Sequence, residues 1–281
     1  MRYYLLVVFF LFSTMLPYAQ QNPARLIVRG DDMGFSNSGN LAAIKTYKEG
    51  IVRSVEVLVP SPWFPEAVQL LKENPGLDVG IHLTLTSEWD NIKWRPLSDC
   101  PSLKDPDGYF YPMIRPNKNY PNRSVLQNKW SLEDVEKEFR TQIELAIRKV
   151  PRISHVSGHM GCTNMNEEVA KLTQRLAKEY NINIDPSAEG VKSVSYKGAG
   201  KTSAEKKQAF IAMLHTLEAG NTYLFVDHPA FDTPEMRAIH HIGYEDVAAD
   251  RQGVVDIWTD AEIIALINKL NIQLISYKDL L

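Results

Sequence analysis

The sequence predicts an α/β fold, a distorted (β/α) barrel with parallel strands in a single domain, on three observations. Short apolar runs alternate with segments of helical period along most of the chain, the rhythm of parallel strands joined by crossover helices. Acidic and histidine residues recur at or just past the carboxyl ends of those runs, the place where parallel barrels carry their functional loops. No internal repeat, linker or low-complexity tract divides the chain, and its length suits one barrel as well as two small domains, so one domain is the simplest account.

The elements follow in order. Residues 1–19 read as a signal peptide: one basic residue, an apolar run to Leu16, then Pro17, Tyr18 and Ala19. The run is shorter than the roughly 20 residues of a spanning helix, so a stable membrane anchor is not expected. The mature chain, residues 20–281, is expected to start near Gln20 as an exported protein, periplasmic or secreted. Arg25 to Arg29 is strand-like, and Gly30 to Ser36 reads as a turn feeding a helix near Asn37. Ser54 to Val59 is a strand, Trp63 to Asn74 a helix, and Asp78 to Leu85 a strand carrying His82.

Glu88 to Trp130 breaks the rhythm with proline, asparagine and aromatics, among them Trp89 and Trp94; a loop of this length is usually functional or disordered. Ser131, with Asp134 three residues on, caps a helix that Val135, Phe139, Ile143 and Ile147 carry to about Lys149. Arg152 to Val156 is a strand leading into Ser157, Gly158 and His159. A helix over Asn166 to Tyr180, a strand over Ile182 to Asp185, a helix over Ser203 to Ala219 and a strand over Tyr223 to Val226 follow. The chain closes with a helix from Asp260 to Leu270 and a strand near Gln273 to Ile275.

Composition excludes one class of partner. The formal charge is −3, or −4 once Arg2 leaves with the leader, and no basic tract is present, so nucleic acid is not expected to bind. Cys100 and Cys162 could pair in an oxidising compartment, or Cys162 could be a buried thiol, and the sequence leaves both open. Oligomeric state is likewise open.

The candidates for chemistry are Asp31, Asp32, His82, His155, His159 and His228, all at predicted strand ends. Singly, each histidine reads as an ordinary surface or core residue. The two acids alone read as a polar turn capping the next helix. Together, a carboxylate and two imidazoles suit zinc or another divalent ion, with positions left for water and substrate and a second acid free as a base.

Three segments, Gly30-Asp31-Asp32-Met33-Gly34-Phe35-Ser36, Gly80-Ile81-His82-Leu83-Thr84-Leu85 and His155-Val156-Ser157-Gly158-His159, together with Asp227-His228-Pro229, resemble the YdjC-like or chitooligosaccharide deacetylases, and more distantly the polysaccharide deacetylases. The resemblance implies a distorted barrel holding one divalent ion, zinc or magnesium, on Asp32, His82 and His159, with Asp31 as general base. It also implies hydrolysis of the acetamide of N-acetylated amino sugars or oligosaccharides. Two departures stand out: Ser157 and Gly158 precede His159 where the family commonly carries Asp-Ser, and Met160, Gly161 and Cys162 follow it where the family commonly carries further histidines. The more distant family implies a rival set, Asp32, His155 and His159. An extended strand separates His155 from His159 by roughly 13 Å, which favours His82 and leaves His155 as a supporting or substrate contact.

On this reading His228 donates a proton to the departing amine. Trp89 and Trp94 offer flat faces to sugar rings, or else anchor the loop. The alternatives are a non-catalytic carbohydrate-binding barrel and a glycoside hydrolase, the latter needing two free carboxyl groups across a glycosidic bond.

Overall fold

A computed structural model describes residues 22–281 apart from positions 199 and 201; the expected signal peptide lies outside the described residues. The elements are β1 (Ala24–Met33), α1 (Asn37–Lys48), β2 (Ser54–Val57), α2 (Phe64–Glu73), β3 (Asp78–Leu83), α3 (Leu132–Lys149), β4 (His155–Gly158), α4 (Glu167–Glu179), β5 (Lys192–Val194), α5 (Ser203–Leu214), β6 (Thr222–Asp227), α6 (Pro234–Arg237), α7 (Val247–Trp258), α8 (Ala261–Lys269) and β7 (Ile272–Ile275). All ladder pairings are parallel, in the order β4-β3-β2-β1-β6-β5 with β7 also on β1. The sheet curls into a half-barrel with helices around it, the distorted (β/α) barrel expected from the sequence.

Because helices cover the sheet, the central strands are apolar on both faces: Leu26, Ile27, Val28, Val55, Val57, Val79 and Ile81 are all fully buried. β1 is the axis. One of its edges carries β6, and the other carries β7 along Ala24–Ile27 and then β2 along Arg29–Met33. Helix starts follow local chemistry. Ser36, Ser131, Asn166 and Thr202 each accept a backbone N–H three residues ahead, satisfying a donor the helix cannot pair itself.

Three expectations are corrected. β1 runs through the two acids to Met33, so they lie in the strand rather than in a turn. The strand expected at Ile182–Asp185 does not form a ladder; β5 lies at Lys192–Val194 instead. The helix from Ser203 ends at Leu214, not Ala219, and α7 is an element the sequence did not announce.

The long segment 88–130 holds two short 3-10 turns, at Pro101–Leu103 and Val125–Gln127, and a few isolated bridges such as Lys104 with Phe110, yet it is packed. Trp89, Trp94, Cys100, Leu103, Phe110 and Val125 belong to the main core. A buried carboxylate fastens it: Glu138 on α3 accepts from the backbone N–H groups of Leu97 (3.0 Å) and Ser98 (2.8 Å) and from the Ser98 hydroxyl (2.6 Å). Cys100 and Cys162 are both buried free thiols; Cys162 donates to the Leu83 carbonyl at 2.9 Å.

Candidate active site

Since every strand runs the same way, all carboxyl ends open on one face, and the candidate residues meet there around a cavity of about 460 Å³. β1 supplies Asp31 and Asp32, β3 supplies His82, the turn after β4 supplies His159, and β6 ends in Asp227 with His228 just past it. Both acids reach the cavity because β1 is irregular there. Its register against β2 slips between Gly30 and Met33, and Asp32 holds a left-handed backbone with φ +69°. Such a conformation is strained for a non-glycine residue and is characteristic of functional positions. Gly34 then makes the exit turn at φ +111°, where a Cβ would stand 2.9 Å from the Leu58 carbonyl oxygen.

Asp32, His82 and His159 bring one donor atom each to within 4.8 Å of one another, all buried. Asp32 Oδ1 lies 3.2 Å from His159 Nδ1 and 3.5 Å from His82 Nε2. Its other oxygen, Oδ2, accepts from Arg251 Nη2 at 2.8 Å. Oδ1 itself makes no hydrogen bond among the described residues although it is out of contact with water. An ionised oxygen without a hydrogen bond in the interior calls for a positive charge beside it, which protonated His159 supplies in the metal-free site and a divalent ion would supply in its place. The donor set and this orphaned oxygen fit a divalent ion.

The outward nitrogens of both imidazoles are engaged, which settles which nitrogen of each faces the centre. His82 Nδ1 lies 2.6 Å from the Ser157 hydroxyl, leaving Nε2 inward; His159 Nε2 lies 3.0 Å from Glu88, leaving Nδ1 inward. Burial, which outweighs the pull of Asp31, lowers the His82 pKa. His159 behaves oppositely: burial favours its neutral ring, but Glu88 and Asp32 on either side raise it to about 10. Asp32 overcomes its burial through His159, Arg251 and His228 and sits well below the usual carboxylate range.

Asp31 is gripped by Arg29, with Nε donating to Oδ1 at 2.7 Å and Nη2 to Oδ2 at 2.9 Å. The pair sits two residues apart on one strand, hence on one face. Asp31 Oδ2 is 3.8 Å from His82 Nε2, beside the metal-type cluster rather than in it. His228 is half-buried at the mouth, with Nε2 4.0 Å from Asp32 Oδ2 and Nδ1 3.5 Å from Asp227 Oδ1. Against desolvation, which favours the neutral ring, Asp32 and Asp227 raise its pKa above the ordinary histidine value.

Two expected contacts are corrected. His155 is fully buried behind the cluster, 2.5 Å from Glu56 and stacked on Tyr277 at 3.5 Å, so it faces neither the cavity nor the centre. Trp94 is also buried away from the cavity, its indole N–H donating to the Thr86 carbonyl at 2.9 Å. Trp89 does line the cavity, as one wall of an aromatic group with Phe35, His241 and Tyr244. Arg251 lies over the rings of Phe35 (4.7 Å) and Trp89 (5.3 Å), so this wall also supports the cation that holds Asp32.

Sequence reasoning missed Arg29, Glu56, Glu88 and Arg251. Arg29 was findable, two residues before Asp31 on the same strand face. Glu56 was findable as a charge inside an otherwise apolar strand, whereas Arg251, on an unannounced helix, left no signal.

Residues 25–269 match the family model for YdjC-like protein. The chain is 32% identical over 269 residues to a carbohydrate deacetylase of Clostridium beijerinckii, an alignment covering 91% of this chain and 100% of that one. It is 30% identical over 270 residues to a carbohydrate deacetylase of Listeria welshimeri, with the same coverage. Among solved structures, an Enterococcus faecalis protein crystallised as a candidate cellobiose-phosphate cleavage protein superposes with a TM-score of 0.71 at 23% identity. The match covers 92% of this chain and 99% of that one, and it shows a shared fold.

Proposed function

The chain belongs to the YdjC-like protein family, and we propose that it is a metal-dependent carbohydrate deacetylase, hydrolysing the acetamide of N-acetylated amino sugars or oligosaccharides to acetate and free amine. The observation that carries the metal reading is the bare, buried Oδ1 of Asp32 within reach of His82 Nε2 and His159 Nδ1, with Asp31 alongside. The relatives' activity supports the substrate class.

Asp32, His82 and His159 would hold the ion, zinc or magnesium. Bound there, it supplies Lewis acidity toward the acetamide carbonyl and acidifies water at neutral pH. Asp31, held in one orientation by Arg29, takes the proton from the attacking water. The guanidinium matches the carboxylate bidentately and leaves the outer lone pairs of both oxygens open to that water. His228, whose pKa its two carboxylate neighbours raise against burial, passes a proton to the amine nitrogen as the carbon–nitrogen bond breaks. Trp89, in the cavity wall, presents apolar surface to the sugar.

Acetate release from a panel of N-acetylated mono- and oligosaccharides, with and without chelator, tests the proposal. Activity abolished by the chelator and restored by zinc or magnesium is expected. A shortened glycan in place of acetate would establish glycoside hydrolysis, and binding without turnover a carbohydrate-binding barrel. Full activity in a metal-free preparation would sink the metal reading. We also propose that the chain is exported; an N-terminus near Gln20 in protein from the source cell is the expected mass-spectrometric result.

A further inference from the structure

Behind the cluster lies a carboxylate that the proposed reaction leaves unused. Glu56 is fully buried in the middle of β2, a position where a charge is costly unless it is paired. Three strands meet at its level, because Glu56 on β2 is in register with Gly80 on β3, and Gly80 with His155 on β4. Its carboxylate crosses over Gly80. A Cβ on that glycine would stand 2.4 Å from His155 Nε2 and 2.5 Å from Glu56 Oε2, so only glycine leaves the passage open. Oε1 takes up His155 Nε2 at 2.5 Å and lies 3.7 Å from Arg29 Nε.

Oε2 has a different partner. It accepts the hydroxyl of Ser157 at 2.6 Å, and Ser157 Oγ lies 2.6 Å from His82 Nδ1. Ser157 is placed for this by register, since it stands directly beside His82 in the β3–β4 ladder. A serine hydroxyl has one proton, and here it is given to Glu56. Its lone pairs are therefore left to accept Nδ1–H of His82, which fixes the tautomer with Nε2 bare and facing Asp32.

Building on the metal-centre reading above, we propose that Glu56 is the positioning residue for His82, acting through the Ser157 hydroxyl to orient the imidazole and make Nε2 a better donor to the ion. A carboxylate behind a ligating histidine is a general device for holding ring and tautomer. In this chain the carboxylate reaches from the neighbouring strand with a hydroxyl as intermediary.

The test uses the mature protein, stripped of metal and titrated with zinc against a competing chromophoric chelator, with thermal melting as a check on folding. S157A leaves Glu56 paired with His155 and Arg29 but cuts its route to His82; it should bind zinc about 10- to 100-fold more weakly while still melting cooperatively as a folded protein, at a somewhat lower temperature because two buried groups lose a hydrogen bond. E56Q should weaken zinc to a similar extent. E56Q/S157D, which sets a carboxylate directly against His82 Nδ1, should recover most of the loss. Zinc affinity within twofold of wild type in S157A overturns the proposal, as does a folded double variant no better than E56Q alone. If the glutamine variants do not fold, S157A decides. Should the wild-type protein bind no divalent ion, the metal-centre reading fails first, an outcome distinct from wild-type binding that S157A leaves intact.

Discussion

Metal affinity should depend on pH through His159. In the metal-free site this ring bridges two carboxylates, Asp32 at 3.2 Å from Nδ1 and Glu88 at 3.0 Å from Nε2, and it keeps its second proton up to about pH 10. An ion that takes Nδ1 must displace that proton. Proton and ion compete, so affinity rises with pH and levels off only above about 10. At pH 7 the ring is protonated, so freeing Nδ1 lowers apparent affinity. The same protonated ring stabilises the metal-free fold fully below its ordinary 6.5, and this contribution is lost as pH rises through about 10. Titration with chelator-buffered zinc across pH 7 to 9 should therefore show apparent affinity rising about tenfold per pH unit. Calorimetry in buffers of different ionisation enthalpy should show about one proton released per ion. E88Q, which removes one of the two charges holding that proton, should bring the plateau to lower pH. Affinity independent of pH over this range would refute the bridging role of His159.

The adjacent acids should separate by metal content: D32N should lose ion and activity together. D31N should keep the ion while turnover falls on the order of a hundredfold. If D31N empties the site and D32N leaves it filled, the roles are exchanged. The two tryptophans should differ in kind. W89A, which removes a face supporting Arg251, should raise KM and weaken the ion, whereas W94A should lower stability by about 3–5 kcal/mol and leave the kinetics of the folded enzyme intact. E138A strips three donors of the segment at Leu97 and Ser98 of their acceptor and should destabilise the protein by about 3 kcal/mol, read by denaturant titration; an unchanged midpoint would show the segment is held otherwise.

What could be read in the sequence follows from what parallel strands impose. Strands buried on both faces must be apolar runs, so β1, β2, β3 and β6 stood out, and their carboxyl ends marked Asp31, Asp32, His82 and His228. Elsewhere the same signal misled. Ile182 and Ile184 alternate as a strand would, but Asn181 turns the chain at φ +56° and the segment packs without a ladder. β5, three mostly exposed residues at the edge, has almost no apolar pattern to read. α7 is buried on most of its surface and so lacks the one-sided stripe that marks a helix. Its Gly253 lets α5 approach, since a Cβ there would stand 2.9 Å from Ser203 Oγ.

The site shows a second limit, which concerns register rather than element type. Periodicity says which residues share a strand face, but not which residue of the next strand stands beside them. Ser157 beside His82, and Glu56 level with Gly80 and His155, are matters of register. His155 therefore read as a second candidate at the site, although in the barrel it lies one layer behind. Nor does an extended strand account for the two acids. Alternation would send neighbours to opposite faces, yet the slipped register and left-handed Asp32 turn both toward one cavity. The different tasks proposed for them rest on different partners: Arg29 donates one hydrogen bond to each oxygen of Asp31, while Arg251 takes one oxygen of Asp32 and leaves the other without a hydrogen bond.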